Sequence, residues 1–264
     1  MSFQIAMAGK GGTGKTTVAT LVIRYLVEHG LKPVLAVDAD ANANLNEMLG
    51  LKVHKVVGDA REEMKTKVPV GMTKETYMEM KVQEALVEAD GFDLIVMGRP
   101  EGPGCYCYAN TLLCKYLDIL QKNYPYVVVD NEAGLEHISR LNQQDVDLML
   151  VVTDPTRRGL LTVERVRDLT RELKITVRQF KVVVNRCHGE LDSQLRDYLM
   201  DRGLDLAGVI PADENVARFD VQGRPMLELP HDSAAVRALY QIMDGIMDGR
   251  SLDSRWQRLG NQRG

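Results

Sequence analysis

The 264 residues fit one large α/β domain or two small ones, and can bury a core without disulfide or metal staples. Lys and Arg number 33 against 37 Asp and Glu, so a formal charge of -4 leaves no basic surplus for nucleic acid, and 45% apolar residues exclude a disordered chain. No apolar run nears the roughly 18 residues that span a bilayer, and the opening MSFQIAMAGK has no signal-peptide n-region. The four Cys do not form a secreted disulfide framework, so a cytoplasmic protein with reduced thiols and no membrane or nucleic-acid partner is expected.

Short apolar runs alternate with helical periodicity, the rhythm of β-α units closing on a parallel sheet. Seven strands are predicted near residues 4–8, 34–38, 94–98, 127–130, 148–153, 181–185 and 207–210. Helical spacing is predicted over 16–28, 81–88, 111–121, 160–173, 193–202 and 234–247. These make a mostly parallel seven-strand α/β sheet with helices on both faces. No linker or repeat divides residues 1–264, which read as a single domain; residues 52–81 read as a surface insertion and 250–264 as a polar tail.

The first strand runs into GKGGTGKTT, Gly9 to Thr17, and helical spacing begins at once. Two motifs overlap there. Gly9, Gly11 and Gly14 fit the dinucleotide pattern G-x-G-x-x-G, with Asp38 at the end of the second strand 24 residues after Gly14. Gly9, Gly14, Lys15 and Thr16 fit G-x-x-x-x-G-K-[ST], and only this second motif explains a Lys and a hydroxyl directly after the last glycine. The residues Gly11, Gly12, Thr13 and Gly14 offer backbone N–H groups to phosphates, and the helix N-terminus adds its positive end. Lys15 neutralises β and γ oxygens, the Thr16 hydroxyl takes a Mg²⁺ position, and Thr17 follows in the same turn.

KGGTGKTT, which opens on Lys10, resembles the deviant phosphate loop of the MinD, ParA and nitrogenase iron-protein class of P-loop ATPases, and the resemblance extends over most of the chain. The resemblance implies a MinD-like P-loop NTPase fold and ATP with Mg²⁺ as ligands. It also implies a nucleotide-dependent homodimer in which Lys10 reaches the partner's nucleotide. VDADANANL is similar to the first switch of the class, which gives Asp40 the attacking water and Asp38 a place near the magnesium shell; either Asp also suits a helix N-cap. YVVVDNEAG ends a strand at Asp130, similar to the carboxylate behind the metal-bound water, with residues 132–134 as a second switch. VVVNR resembles the base-recognition strand through Asn185 and Arg186, and IPAD the loop over adenine through Pro211. Arg157 and Arg158 are candidates for phosphate or subunit contact, or simply a solvated pair.

GRPEGPGCYCYAN places Cys105 and Cys107 on a loop rich in Gly and Pro, within residues 98–110. One chain offers two thiolates, and soft or borderline divalent ions favour four, so a two-fold dimer would complete a Cys₄ site for Ni²⁺ or Zn²⁺. Two structural thiols are the plainer alternative. Cys114 reads as a packed hydrophobe, and Cys187 with His188 as structural. The loop, the C-x-C pair and DNEAG together resemble the carbon monoxide dehydrogenase maturation ATPases of the CooC type. That resemblance implies ATP hydrolysis coupled to nickel delivery to carbon monoxide dehydrogenase or a related nickel enzyme. Two other functions within the class compete: an iron-sulfur reductase, which would need a second Cys loop after Asp130 that NEAGLEHISR lacks, and a positioning ATPase acting on membrane or DNA.

Overall fold

A computed structural model describes residues 2–40, 42–59, 63, 67–98, 115, 119–131 and 145–248. Its centre is the strand β1 (Phe3–Ala8), which has β5 (Tyr126–Asp130) on one side and β6 (Asp145–Thr153) on the other, both parallel to it. Outward beyond β5 lie β2 (Val34–Asp38), β4 (Phe92–Val96) and the short antiparallel β3 (Val87–Glu88). Beyond β6 lie β7 (Thr176–Cys187) and β8 (Leu206–Pro211). Among the described residues the sheet thus has eight strands, ordered β3-β4-β2-β5-β1-β6-β7-β8.

Eight replaces the seven expected because β3 is only two residues long, too short to show a period of two. The predicted helix over 81–88 is corrected with it. The helix runs Lys74–Ala85, its N-terminus capped by the Thr73 hydroxyl accepting from the Thr76 N–H, and so begins inside the supposed insertion. Strand β4 starts two residues earlier than predicted, and β6 and β7 are longer because polar residues such as Asp145, Asp147 and Arg178 interrupt their apolar runs. Most of the helix predicted over 111–121 lies outside the described residues.

Alternation along each strand divides the core between the two faces. Ile5, Met7, Val128, Leu148 and Leu150 pack with helix α1 (Lys15–Glu28) and with α7 (Ala234–Asp248) on one face. On the other, Leu35, Val37, Val127 and Val129 meet α3 (Lys74–Ala85). There Ala6, Ala8, Met149 and Val151 meet α4 (Arg157–Glu172) and α5 (Ser193–Asp201). Val22 and Ile23 of α1 are wholly buried, each worth roughly 1.5–3 kcal/mol of burial, which fixes the helix that follows the glycine loop against β1. Every parallel strand ends at the same edge of the sheet, where open α/β folds bind ligands. Among the described residues no helix is long and apolar enough to cross a membrane.

Candidate functional site

A cleft of about 710 Å³ opens at that edge. Its floor is Gly11, Gly12, Gly14, Lys15, Thr16 and Thr17, between β1 and α1. Asp40 and the short helix α2 (Leu45–Met48) form one wall. The other comes from Asn185 and Arg186 near the end of β7 with His188 just beyond it, from Pro211 at the end of β8 through Asp213, and from the helix α6 (Glu214–Gln222).

The loop takes its shape from its glycines. Gly9, Gly12 and Gly14 have φ of 133°, 79° and 88°, backbone that residues with a Cβ rarely adopt. At Gly9 an added Cβ would also lie 2.1 Å from the Val152 carbonyl oxygen. The Thr13 hydroxyl donates to the Lys10 carbonyl at 2.9 Å, and Lys15 Nζ donates to the same oxygen at 3.3 Å. Lys15 is only 8% exposed, so its charge is held at the floor, whereas the Lys10 side chain is exposed.

Two acids sit beneath this floor. Asp38, at the end of β2, is fully buried; its carboxylate accepts from the N–H groups of Asp40 at 3.1 Å and Leu45 at 2.9 Å. Asp130, at the end of β5, is 2% exposed and hydrogen-bonds the Thr16 side chain. Its Oδ1 is buried without a hydrogen-bond partner. Burial pushes Asp38 up to about 6 and Asp130 up to about 7, each also raised by the neighbouring acids and drawn down by its hydrogen bonds. A buried carboxylate oxygen with no donor, beside a second buried acid and a threonine hydroxyl, is a hard-oxygen set that suits a small divalent cation. The residues present therefore fit Mg²⁺. Asp40 is half-buried on the cleft wall, and its Oδ1 accepts from the Asn42 N–H at 2.8 Å.

At the opposite end Asn185, Arg186 and Asp213 each have hydrogen-bond partners within the protein. Asn185 is 7% exposed, donates from Nδ2 to the Thr13 carbonyl at 2.8 Å and accepts from the Arg186 N–H at 2.9 Å. Arg186 Nη1 donates to the Gly12 carbonyl at 2.9 Å. Asp213 caps α6 by accepting from the Asn215 N–H at 2.8 Å, and its other oxygen takes the Ala235 N–H at 2.8 Å and the Ser233 hydroxyl. Burial opposes its charge, but these donors hold it below the usual carboxylate range.

The structure thus gathers Gly11, Gly12, Gly14, Lys15, Thr16, Thr17, Asp40, Asn185, Arg186 and Pro211 on one cleft. Thr13, Asp38 and Asp130 lie just behind it. Cys105, Cys107, Cys114 and the second switch at 132–134 lie outside the described residues. Cys187 is buried in the core, while His188 is exposed at the cleft. The Arg157 guanidinium lies 4.8 Å from the centre of the Tyr198 ring. Sequence reasoning missed α2 and α6, which bring Asn44, Glu47, Val216, Ala217 and Asp220 to the walls. The flanking pair of Asp213 as N-cap and Gly223 as left-handed C-cap was the available signal for α6.

Residues 5–226 match the family described as the CobQ/CobB/MinD/ParA nucleotide binding domain. An ATP-binding protein of Methanocaldococcus jannaschii, MJ0685, is 43% identical over 92% of this chain and 98% of its own. The carbon monoxide dehydrogenase accessory protein CooC of Rhodospirillum rubrum is 31% identical over 86% of this chain and 90% of its own. Among solved structures, MinD of Pyrococcus horikoshii, complexed with Mg-ADP, superposes with a TM-score of 0.70 at 21% identity, covering 96% of this chain and 100% of that one. The eight-strand sheet is accordingly a MinD/ParA-like P-loop NTPase fold. The chain belongs to the CobQ/CobB/MinD/ParA nucleotide-binding family, as an ATP-binding NTPase of the MinD/ParA kind.

Proposed function

We propose that the protein is a Mg²⁺-dependent ATPase that works as a homodimer and carries a thiophilic divalent metal, nickel in the first place, to carbon monoxide dehydrogenase or a related nickel enzyme. Residues 1–264 act as one P-loop domain, and the C-x-C loop near 98–110 is its cargo site. The observation that carries the metal reading is the pair Cys105 and Cys107, two positions apart in the segment after β4. The 31% identity to CooC supports it. The entry to that segment is tied to the nucleotide edge: Met97 N–H donates to the Asp38 carbonyl at 2.9 Å, and Ala39 N–H to the Asp130 carbonyl at 2.9 Å.

In this reading the backbone N–H groups of Gly11 to Thr17 hold the polyphosphate of ATP, and Lys15 neutralises its β and γ oxygens. Asp38, Asp130 and the Thr16 hydroxyl would hold Mg²⁺. Bound there, Mg²⁺ supplies positive charge against the phosphate oxygens. Asp40, reachable from the cleft, orients the attacking water. Asn185 spends one N–H and one lone pair on the protein, which leaves one of each for a purine edge, and Pro211 flanks the base. Lys10, whose side chain is exposed, reaches the partner subunit's nucleotide in this reading. Two C-x-C loops, one from each subunit, then make a four-thiolate site for Ni²⁺, which Zn²⁺ also occupies.

The test is metal analysis and sizing of the reduced full-length protein. The expected result is about one Ni²⁺ or Zn²⁺ per two chains, with metal shifting monomer to dimer. Cys105→Ala with Cys107→Ala should abolish both and leave ATP binding intact. One tight metal per chain, or a site that survives the double substitution, overturns the cargo assignment; an iron-sulfur spectrum in the reconstituted dimer would favour the reductase instead.

A further inference from the structure

The phosphate loop is held from outside by two side chains that arrive from the far end of the sheet. Arg186 Nη1 donates to the Gly12 carbonyl at 2.9 Å and Asn185 Nδ2 to the Thr13 carbonyl at 2.8 Å. In a trans peptide the C=O and N–H point in opposite directions. Fixing the Gly12 and Thr13 carbonyls therefore fixes the N–H groups of Thr13 and Gly14, turned away from the clamp. Those are two of the donors a phosphate cradle needs.

The backbone of this clamp is specialised for its reach. The β7–β8 register shifts between Val184 and Cys187, so Asn185 and Arg186 sit in an irregularity of the ladder, the kind of feature that re-aims side chains. Arg186 has φ of 58°, a left-handed conformation costly for a residue with a long side chain, and its N–H is taken by the Asn185 carboxamide at 2.9 Å. A Cβ built on Gly14 would lie 2.5 Å from Asn185 Nδ2. The loop glycine is thus needed for the approach of the clamp, in addition to its own φ of 88°. A surface arginine with no task would relax to ordinary backbone; this one keeps its strain while bound to the loop.

We infer that Asn185 and Arg186 are positioning residues for the phosphate loop, and that Arg186 acts on the polyphosphate through the loop and leaves the base alone. This rests on the nucleotide reading above and deepens it. The clamp explains why a strained arginine stands directly beside the residue that the base-recognition motif assigns to the purine. It also makes phosphate affinity separable from base affinity.

The experiment is competition binding of ATP, AMP and inorganic tripolyphosphate, with Mg²⁺, to the full-length wild type and to Arg186→Gly, Arg186→Lys and Arg186→Ala. Loss of a charged donor to the loop should weaken ATP and tripolyphosphate about tenfold in the Gly and Ala variants, with AMP the least affected. Arg186→Lys, which keeps a charged donor, should recover part of that loss. Ligand-free Arg186→Gly should melt at or above the wild-type temperature, because glycine adopts the left-handed backbone without strain. Equal weakening of AMP and ATP with tripolyphosphate unchanged would place Arg186 at the base and overturn the clamp. So would unchanged binding of all three, or a lowered melting temperature in Arg186→Gly accompanied by proportionate loss of every ligand. Failure of the wild type to bind ATP at all would overturn the nucleotide reading itself.

Discussion

Three acids stand at or just past the ends of parallel strands on the same edge, and they live in opposite circumstances. Asp213, after β8, has both carboxylate oxygens occupied by donors and is held below the usual carboxylate range. Asp38 and Asp130, the last residues of β2 and β5, are more deeply buried and are pushed up to about 6 and about 7, with one Asp130 oxygen lacking any hydrogen-bond partner. The same residue type in the same topological place is therefore a finished joint at one end of the cleft and an unfinished site at the other. Asp38 has a donor on each oxygen and is raised by its burial, whereas Asp130 is equally enclosed and has one oxygen that no donor meets. Burial destabilises both charged forms, a cost that a bound cation would offset. Hydrogen bonds separate Asp213 from Asp130, and burial separates it from Asp38.

The comparison is broken most violently at the floor of the cleft. Lys15→Ala removes a buried charge from the phosphate end and should lower ATP affinity on the order of 100-fold, the worth of about 3 kcal/mol, with calorimetric titration as the check. It should leave the Asp213 joint, and so the unfolding of α6 and α7, little changed. Asp40→Ala should reduce ATP turnover about 100-fold while ATP affinity changes less than about threefold, measured by phosphate release against equilibrium binding. Equal losses would remove Asp40 from the chemistry.

At the finished end the sign of the expected effect differs. Asp213→Ala strips the cap of α6 and the tie to Ala235 and should destabilise the ligand-free protein by about 2 kcal/mol, roughly 4–8 °C in melting temperature, by calorimetry. Asp130→Asn, by contrast, removes a buried charge of which one oxygen meets no donor. At pH 8 it should raise the ligand-free melting temperature by about 2–4 °C while abolishing the gain from Mg²⁺ with nucleotide. A destabilised Asp130→Asn would mean that the carboxylate is already satisfied in the folded chain.

Much of this was legible in the sequence, for physical reasons that can be named. Strand β2 matched residue for residue because VLAVD is wholly buried on both faces and bounded by Pro33 and a charged turn. The glycine loop was legible because Gly9, Gly12 and Gly14 need their backbone. The edge strand β3 was hidden by its two-residue length, and α6 by its nine residues with few apolar positions. At the site, Lys15, Asp38 and Asp130 could be named from motif order, but whether an acid is capped or left open depends on partners far away in the chain. Ser233 and Ala235 reach Asp213 from 20 and 22 positions away in sequence, and no local pattern announces them. The Arg186 clamp is of the same kind, joining residues 174 apart.

The most direct measurement is the melting temperature of the wild type between pH 5 and pH 8, with and without Mg²⁺ and ADP. Asp38 and Asp130 have raised folded-state pKa values, so the unfolded chain releases their protons first. Stability of the ligand-free protein should therefore fall as pH rises through the window up to about 7. Asp213, held low, contributes stability that is lost only in more acidic solution, below that window. A cation needs the deprotonated acids, so the stabilisation by Mg²⁺ with ADP should grow across the same range. A ligand-free melting temperature that rises steadily from pH 5 to pH 8, with a Mg²⁺ gain independent of pH, would contradict the account of Asp38 and Asp130 as the acids that hold the cation.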